Sequence, residues 1–129
     1  MGNPVCIDTD IIIDHLRGRF PGAKIFARVV TEDVPYTTSI TRFELFCGAN
    51  NTREKEIIEE CLLGFKILPF DESSSNEAAR IYRYLKQKGE LIGMRDILIS
   101  GIAMAYKLII ATNNIKEFRR IKGLSLWRE

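Results

Sequence analysis

The sequence predicts a layered α/β domain with a central, mainly parallel sheet flanked by helices. Two apolar runs, residues 4–8 (PVCID) and 108–112 (LIIAT), are short and show almost no alternation, as expected of strands covered by helices on both faces. Between the strand candidates lie stretches whose apolar residues recur at helical spacing. Acids and amides gather where the two runs stop: Asp8 closes the first, and Thr112, Asn113 and Asn114 follow the second. Ligands of open α/β sheets bind at that carboxyl edge.

The elements follow in order. After the strand at 4–8, a helix starts within residues 11–16. Residues 23–32 (AKIFARVVTE) place apolar side chains at 25, 26, 29 and 30, a helical spacing. Residues 34–39 (VPYTTS) are the second strand candidate, and Ser39 is placed to cap the helix ITRFELFCGA. Thr52 is placed to cap REKEIIEECLL, which is acidic in its first turn and stops at Gly64. KILPF, residues 66–70, fits a short edge strand, because Pro69 has no N–H for a ladder hydrogen bond. Ser74 and Glu77 form a capping box. The helix behind it carries one apolar stripe, Ala78, Ile81, Tyr82 and Leu85, and ends at Gly89. MRDILISGIAMAYK, residues 94–107, is apolar nearly all round and marks a central helix. A short helix, IKEFRRI, and a tail strand, LSLW, complete the chain.

At 129 residues the chain fits one domain with one core. The formal charge of +2 is too mild to announce nucleic-acid binding by itself. Its basic residues do cluster, with Arg80, Arg83, Lys86 and Lys88 in one segment and Lys116, Arg119, Arg120 and Lys122 in another. Such clusters read either as solvated helix faces or as a surface that tracks a phosphate backbone. No apolar run approaches the roughly 20 residues that span a bilayer, and the start lacks the features of a signal peptide. Cys6, Cys47 and Cys61 form no C-x-x-C pair and sit among apolar neighbours, so reduced core thiols of a cytoplasmic protein are expected. The single histidine, His15, leaves little material for a zinc site or a histidine-centred triad, and reads as a surface or partly packed residue. The glycine-rich nucleotide motifs are absent.

The chemistry therefore rests on carboxylates. Asp96 opens the apolar helix that leads into LIIAT. Glu44 follows the second strand and flanks an apolar face, with Ile40 and Cys47 at helical spacing. Together with Asp8 and residues 112–114, four distant segments bring oxygens to one sheet edge. Clustered carboxylates repel and lose hydration, so without a cation they cost stability. Magnesium resolves this with one or two carboxylates, waters and a substrate phosphate, and such a site activates water and stabilises a leaving oxygen. Plainer readings stand beside this one. Asp8 or Asp10 caps the first helix, and Asp96 favours a helix N-terminus through the dipole. Glu44 merely flanks a core, and Asp14 is solvated or paired with Arg17. Asn113 or Asn114 caps the last helix, with Glu117 in its first turn.

Four segments, CIDTDIIIDHLRG, TTSITRFELFCGA, MRDILISGIAMAYKLIIAT and TNNIKEF, occur in this order. Together they resemble the PIN-domain family over nearly the whole chain, most closely the VapC-type ribonuclease toxins of toxin–antitoxin pairs. The resemblance implies a PIN-like three-layer domain and a Mg²⁺-dependent endoribonuclease, with Mn²⁺ as a substitute. It also implies an RNA substrate, a small VapB-like antitoxin and a homodimer; the cytoplasmic location and the absence of a membrane span rest on the cysteines and apolar runs above. Carried over by position, Asp8, Glu44 and Asp96 match the first three acids of the family. Asp8 and Asp96 would ligate metal, directly or through water, and Glu44 would hold a water. The fourth acidic position falls on Asn114, an amide, with Glu117 one helical turn further on as a substitute ligand. Thr112 matches the threonine before that position, and Asp10 stands where the family usually has asparagine.

Two rivals remain. CIDTD also fits the strand–D-x-D opening of haloacid-dehalogenase-like phosphatases, with Asp8 as nucleophile and Asp10 as general acid. There, however, Ile12 stands where Thr or Val is usual, and LIIATNN supplies amides where acids are needed. The other is an inactive PIN-like domain that serves as a binding scaffold, a reading kept open by Asn114.

Overall fold

The computed structural model describes residues 2–129 and contains one sheet of five short strands. β1 (Val5–Ile7) is central. β2 (Tyr36–Thr38) and β3 (Lys66–Leu68) lie on one side of it, and β4 (Ile109–Ala111) and β5 (Ser125–Leu126) on the other. The order is β3-β2-β1-β4-β5, and every pair is parallel. The helices in chain order are α1 (Thr9–Arg17), α2 (Gly22–Glu32), α3 (Ser39–Cys47), α4 (Thr52–Leu62), α5 (Glu72–Gln87), α6 (Met94–Tyr106) and α7 (Ile115–Phe118).

Successive strand residues serve opposite faces, which makes three layers. Cys6 and Ile110 enter the core built with Ile81, Leu85, Ile97, Ile102 and Phe118, from α5, α6 and α7. Their neighbours Ile7 and Ala111 enter the other core, with Ile11, Ile12, Phe26, Val29, Leu45 and Ile58 from α1 to α4. Both faces of β1 and β4 are thus covered, the physical reason LIIAT shows no alternation. Strand β3 is at the edge, directly before Pro69, and the tail strand closes the opposite edge. The chain runs outward from β1 to β3, then returns to place β4 on the other flank of β1. That reversal opens a crevice at the carboxyl ends of β1 and β4.

Helix starts differ from expectation by a few residues, each for a hydrogen-bonding reason. Thr38, not Ser39, caps α3, because its hydroxyl accepts the Thr41 N–H at 3.1 Å. Asn51, not Thr52, caps α4 by accepting the Glu54 N–H at 2.9 Å, and the helix closes at Leu62. Asp71 replaces the Ser74–Glu77 capping box: it accepts both the Ser74 N–H and the Ser74 hydroxyl at 2.9 Å. Glu77 is left to pair with Arg80 on the exposed side of α5. Of the cysteines only Cys6 is a core residue, since Cys47 is exposed and Cys61 half-buried.

Where α5 crosses α6, Gly101 permits the contact. A Cβ there would fall 2.6 Å from the Ser74 carbonyl oxygen and 2.7 Å from the Ala78 Cβ. The crossing seats α6 deep in the molecule, with Ile97, Ile99, Ile102 and Ala103 buried. A helix returning between parallel strands runs opposite to them, so the N-terminus of α6 lies at the carboxyl edge. That brings Asp96 beside Asp8.

Candidate active site

Asp8 is fully buried yet held on every side. Its N–H donates to the Ala111 carbonyl at 2.9 Å, which ties it to the end of β4. Its carboxylate accepts from the Thr9 N–H and from the Thr112 hydroxyl, both at 2.7 Å. Asp8 is therefore the N-cap of α1 as well as the acid at the strand end, so the two readings of it coincide. Asp96 is 6% exposed, and its Oδ2 accepts from the Asn114 side-chain amide at 2.9 Å. Glu44, on α3, accepts from the Thr9 hydroxyl at 2.7 Å. That hydroxyl has one proton, so toward Thr41 Oγ1, 3.0 Å away, it is the acceptor. Buried threonines behind the site thereby fix Glu44.

The three carboxylates converge on one side chain that the sequence reading overlooked. Arg95 donates through one terminal nitrogen to Asp8 at 2.8 Å, through Nε to Glu44 at 2.5 Å, and through its other terminal nitrogen to Asp96. Burial opposes its charge, but the carboxylates of Asp8, Glu44 and Asp96 hold the guanidinium above its ordinary pKa. A signal for it was present. A cation in the first turn of an otherwise apolar helix opposes the helix dipole, and acids from elsewhere must offset that cost.

Other candidates fall around this cluster. Asp10 accepts the Asn113 N–H at 3.1 Å and so fastens the loop after β4 to α1, rather than capping that helix. Burial, with the charge of Asp8 added, pushes its carboxyl up to about 6. Its Oδ1 is buried without a hydrogen-bond partner. Thr112 donates to Asp8 and accepts the Asn114 N–H at 2.9 Å. Asn114 occupies the N-cap position of α7 without capping it, because its side chain is committed to Asp96. Glu117 is not brought into the cluster: on this four-residue helix it turns to Arg120 at 3.4 Å, while Phe118 is fully buried. Asp14 is neither free nor paired with Arg17, since it accepts from the Gly22 N–H at 3.1 Å and the Asn113 amide at 3.0 Å. His15 stacks on Phe26 at 3.7 Å between ring centroids. The basic clusters are partly engaged locally, Arg80 with Glu77, Lys88 with Glu90, and Arg120 with Glu117.

Three acids, Asp8, Glu44 and Asp96, thus grip one internal cation, and Asp10 lies within electrostatic reach of it. Burial pushes the Asp96 carboxyl up, although Arg95 and Asn114 pull it down. With Arg95 among the carboxylates, no group of three or more His, Cys, Asp or Glu among the described residues is arranged to hold a metal ion. The donor chemistry nevertheless fits a hard divalent cation. Oxygens from three elements already turn toward one positive charge, and the orphaned Asp10 Oδ1 offers a further acceptor. Beside Glu44, between α1, α3 and α4, runs a mostly apolar cavity of about 290 Å³, lined by Ile13, Leu16, Leu45, Ile57 and Ile58.

Comparison with known proteins finds the same three-layer parallel α/β architecture. The PIN domain family matches residues 5–124. The chain is 36% identical over 96 residues to ribonuclease VapC3 of Methanocaldococcus jannaschii, covering 74% of this chain and 94% of that protein. It is 31% identical over 93 residues to the tRNA(fMet)-specific endonuclease VapC of Salmonella typhimurium, 69% of this chain and 70% of the relative. Among solved structures, the DNA-bound VapBC of Salmonella typhimurium superposes with a TM-score of 0.85 at 26% identity, over 97% of both chains. VapBC-1 of nontypeable Haemophilus influenzae gives 0.82 at 29% identity, over 95% of this chain and 96% of that one. The chain belongs to the PIN-domain family, and within it to the VapC type.

Proposed function

We propose that this protein is a metal-dependent endoribonuclease, the toxin of a toxin–antitoxin pair, which hydrolyses phosphodiesters of single-stranded or looped RNA. The observation that carries this is the convergence of Asp8, Glu44 and Asp96 on one cation at the carboxyl edge of β1 and β4. Mg²⁺, or Mn²⁺ in its place, would supply a lowered water pKa and neutralisation of the charge that develops on phosphate. Asp8 and Asp96 would hold it, each kept in one orientation by Thr112 and Asn114 respectively. Glu44, fixed by Thr9, would orient the attacking water in line with the scissile bond. Asp10 would accept from a water beside the ion through its free Oδ1. The basic residues of α5 and of the segment after α7 would track the RNA backbone, making binding salt-dependent.

A small VapB-like antitoxin is the partner this reading requires. It is supported by the neighbours in solved structures, which are toxin–antitoxin complexes. The apolar cavity beside Glu44 would take that partner's side chains. A homodimer acting in the cytoplasm completes the proposal, and no helix among the described residues is long and apolar enough to cross a membrane. The haloacid-dehalogenase-like reading falls to the family match.

Cleavage of a labelled RNA tests the function. It should proceed with Mg²⁺ or Mn²⁺, stop in EDTA, and drop at least a hundredfold in Asp8→Asn and in Asp96→Asn. Full activity in both variants, each shown to be folded, would falsify the assigned roles. An inactive scaffold, which Arg95 on the acids favours, predicts RNA binding without cleavage in any metal.

A further inference from the structure

Arg95 is a cation built into the site that would receive a metal. Its guanidinium contacts acids from three elements, reaching Glu44 51 residues away in sequence and Asp8 87 residues away. Its side chain keeps 32% of its surface exposed, so it lies at the mouth of the site and has somewhere to go. The same oxygens cannot surround both a guanidinium and a hexacoordinate ion, because octahedral ligation at about 2 Å leaves no room for three N–H donors. Occupancy is therefore exclusive. A guanidinium freed from these carboxylates is a planar fork of N–H donors beside the acids, and the ligand it matches is a phosphate.

We propose that Arg95 fills the metal position in the metal-free protein and exchanges it for a divalent cation and an RNA phosphate together. This rests on the ribonuclease reading and adds the residue that couples its two ligands. The metal binds only the population in which Arg95 has left, so its apparent affinity is lowered by that fraction. RNA phosphate captures the released guanidinium and enlarges the population. By linkage, RNA must then tighten metal binding by the same factor as metal tightens RNA binding. The chain would thus bind metal weakly until substrate arrives.

The test is Mn²⁺ binding followed by electron paramagnetic resonance, on the full chain, its Arg95→Ala variant and Arg95→Lys. Titrations are run with and without a 2′-O-methyl oligoribonucleotide, whose integrity is checked on a gel at the end of each. Arg95→Ala should bind Mn²⁺ at least tenfold more tightly without RNA, with Arg95→Lys between the two. The oligonucleotide should tighten binding to the unmodified protein severalfold more than to Arg95→Ala. In nuclear magnetic resonance, the Arg95 Nε–H should be protected from exchange in EDTA and lose that protection as Mg²⁺ saturates. Equal or weaker Mn²⁺ binding by folded Arg95→Ala overturns the exchange, as does an Nε–H unchanged at saturating Mg²⁺. An equal gain from RNA in both proteins overturns the coupling. Absence of Mn²⁺ binding in every protein, with Asp8→Asn no different, sinks the metal reading itself and the inference with it.

Discussion

Asn114 meets the acid cluster as an amide, and its side-chain N–H donates to Asp96 Oδ2 at 2.9 Å. An amide can donate to a carboxylate; a carboxylate cannot. Asn114→Asp should therefore replace a hydrogen bond by a repulsion between two half-buried or buried acids, lowering metal-free stability by about 1–3 kcal/mol. The same change adds an anionic ligand and should tighten Mg²⁺ binding. Denaturation in EDTA and calorimetric titration of Mg²⁺ check the two signs, and a variant as stable as the parent without metal would mean that the 114–96 contact carries no weight. The orphaned Asp10 Oδ1 and the donor from Asn114 together show how the site is tuned residue by residue. One acid has an acceptor to spare while another is already engaged.

At the scale of elements, the placement of α6 matters most, because it carries both Arg95 and Asp96. Its seat depends on the close crossing with α5 at Gly101. Gly101→Ala should cost about 1–3 kcal/mol, the usual penalty for overpacking, because the new methyl meets backbone atoms of Ser74 and Ala78. Since the shift moves α6 as a unit, metal affinity should fall with stability; chemical denaturation and Mn²⁺ titration measure both. The start of α5 has its own anchor. Asp71 accepts from Ser74 twice and also from the Tyr106 hydroxyl at the end of α6, so Asp71→Ala should lower the thermal midpoint. A thermal midpoint within a degree of the parent would remove the cap's importance. Its effect should be on stability, with RNA cleavage per folded molecule preserved.

For the whole molecule, the sheet edge concentrates more negative charge than Arg95 cancels, and a ligand that completes the balance should stabilise the fold. Mg²⁺ at a hundredfold excess over its dissociation constant should raise the unfolding free energy by about 2.7 kcal/mol. The rise should be absent in Asp8→Asn. Calorimetric melting with and without Mg²⁺ checks it, and an equal rise in that variant would place the ion elsewhere. Both layers of helices close on β1 and β4, so this stabilisation should spread cooperatively through the domain.

The sequence by itself determined the layered parallel fold, the order of its elements and the edge at which the acids meet. Apolar runs without alternation mark strands covered on both faces, and helical periodicity marks what covers them, both being short-range patterns. Asp8 at the end of β1 and Asp96 opening α6 were legible for the same reason, since position along an element sets position along the sheet. Caps slipped by one to three residues because Asp71, Asn51 and Thr38 compete with neighbours of equal propensity, and the winner is set by backbone geometry. Only the tertiary structure decided where Arg95 points, which oxygen of Asp10 stays unpaired, and that Glu117 turns to Arg120 instead of the acids. Those outcomes depend on long side chains choosing among partners that lie dozens of residues away, and folding alone brings such partners within a hydrogen bond's length.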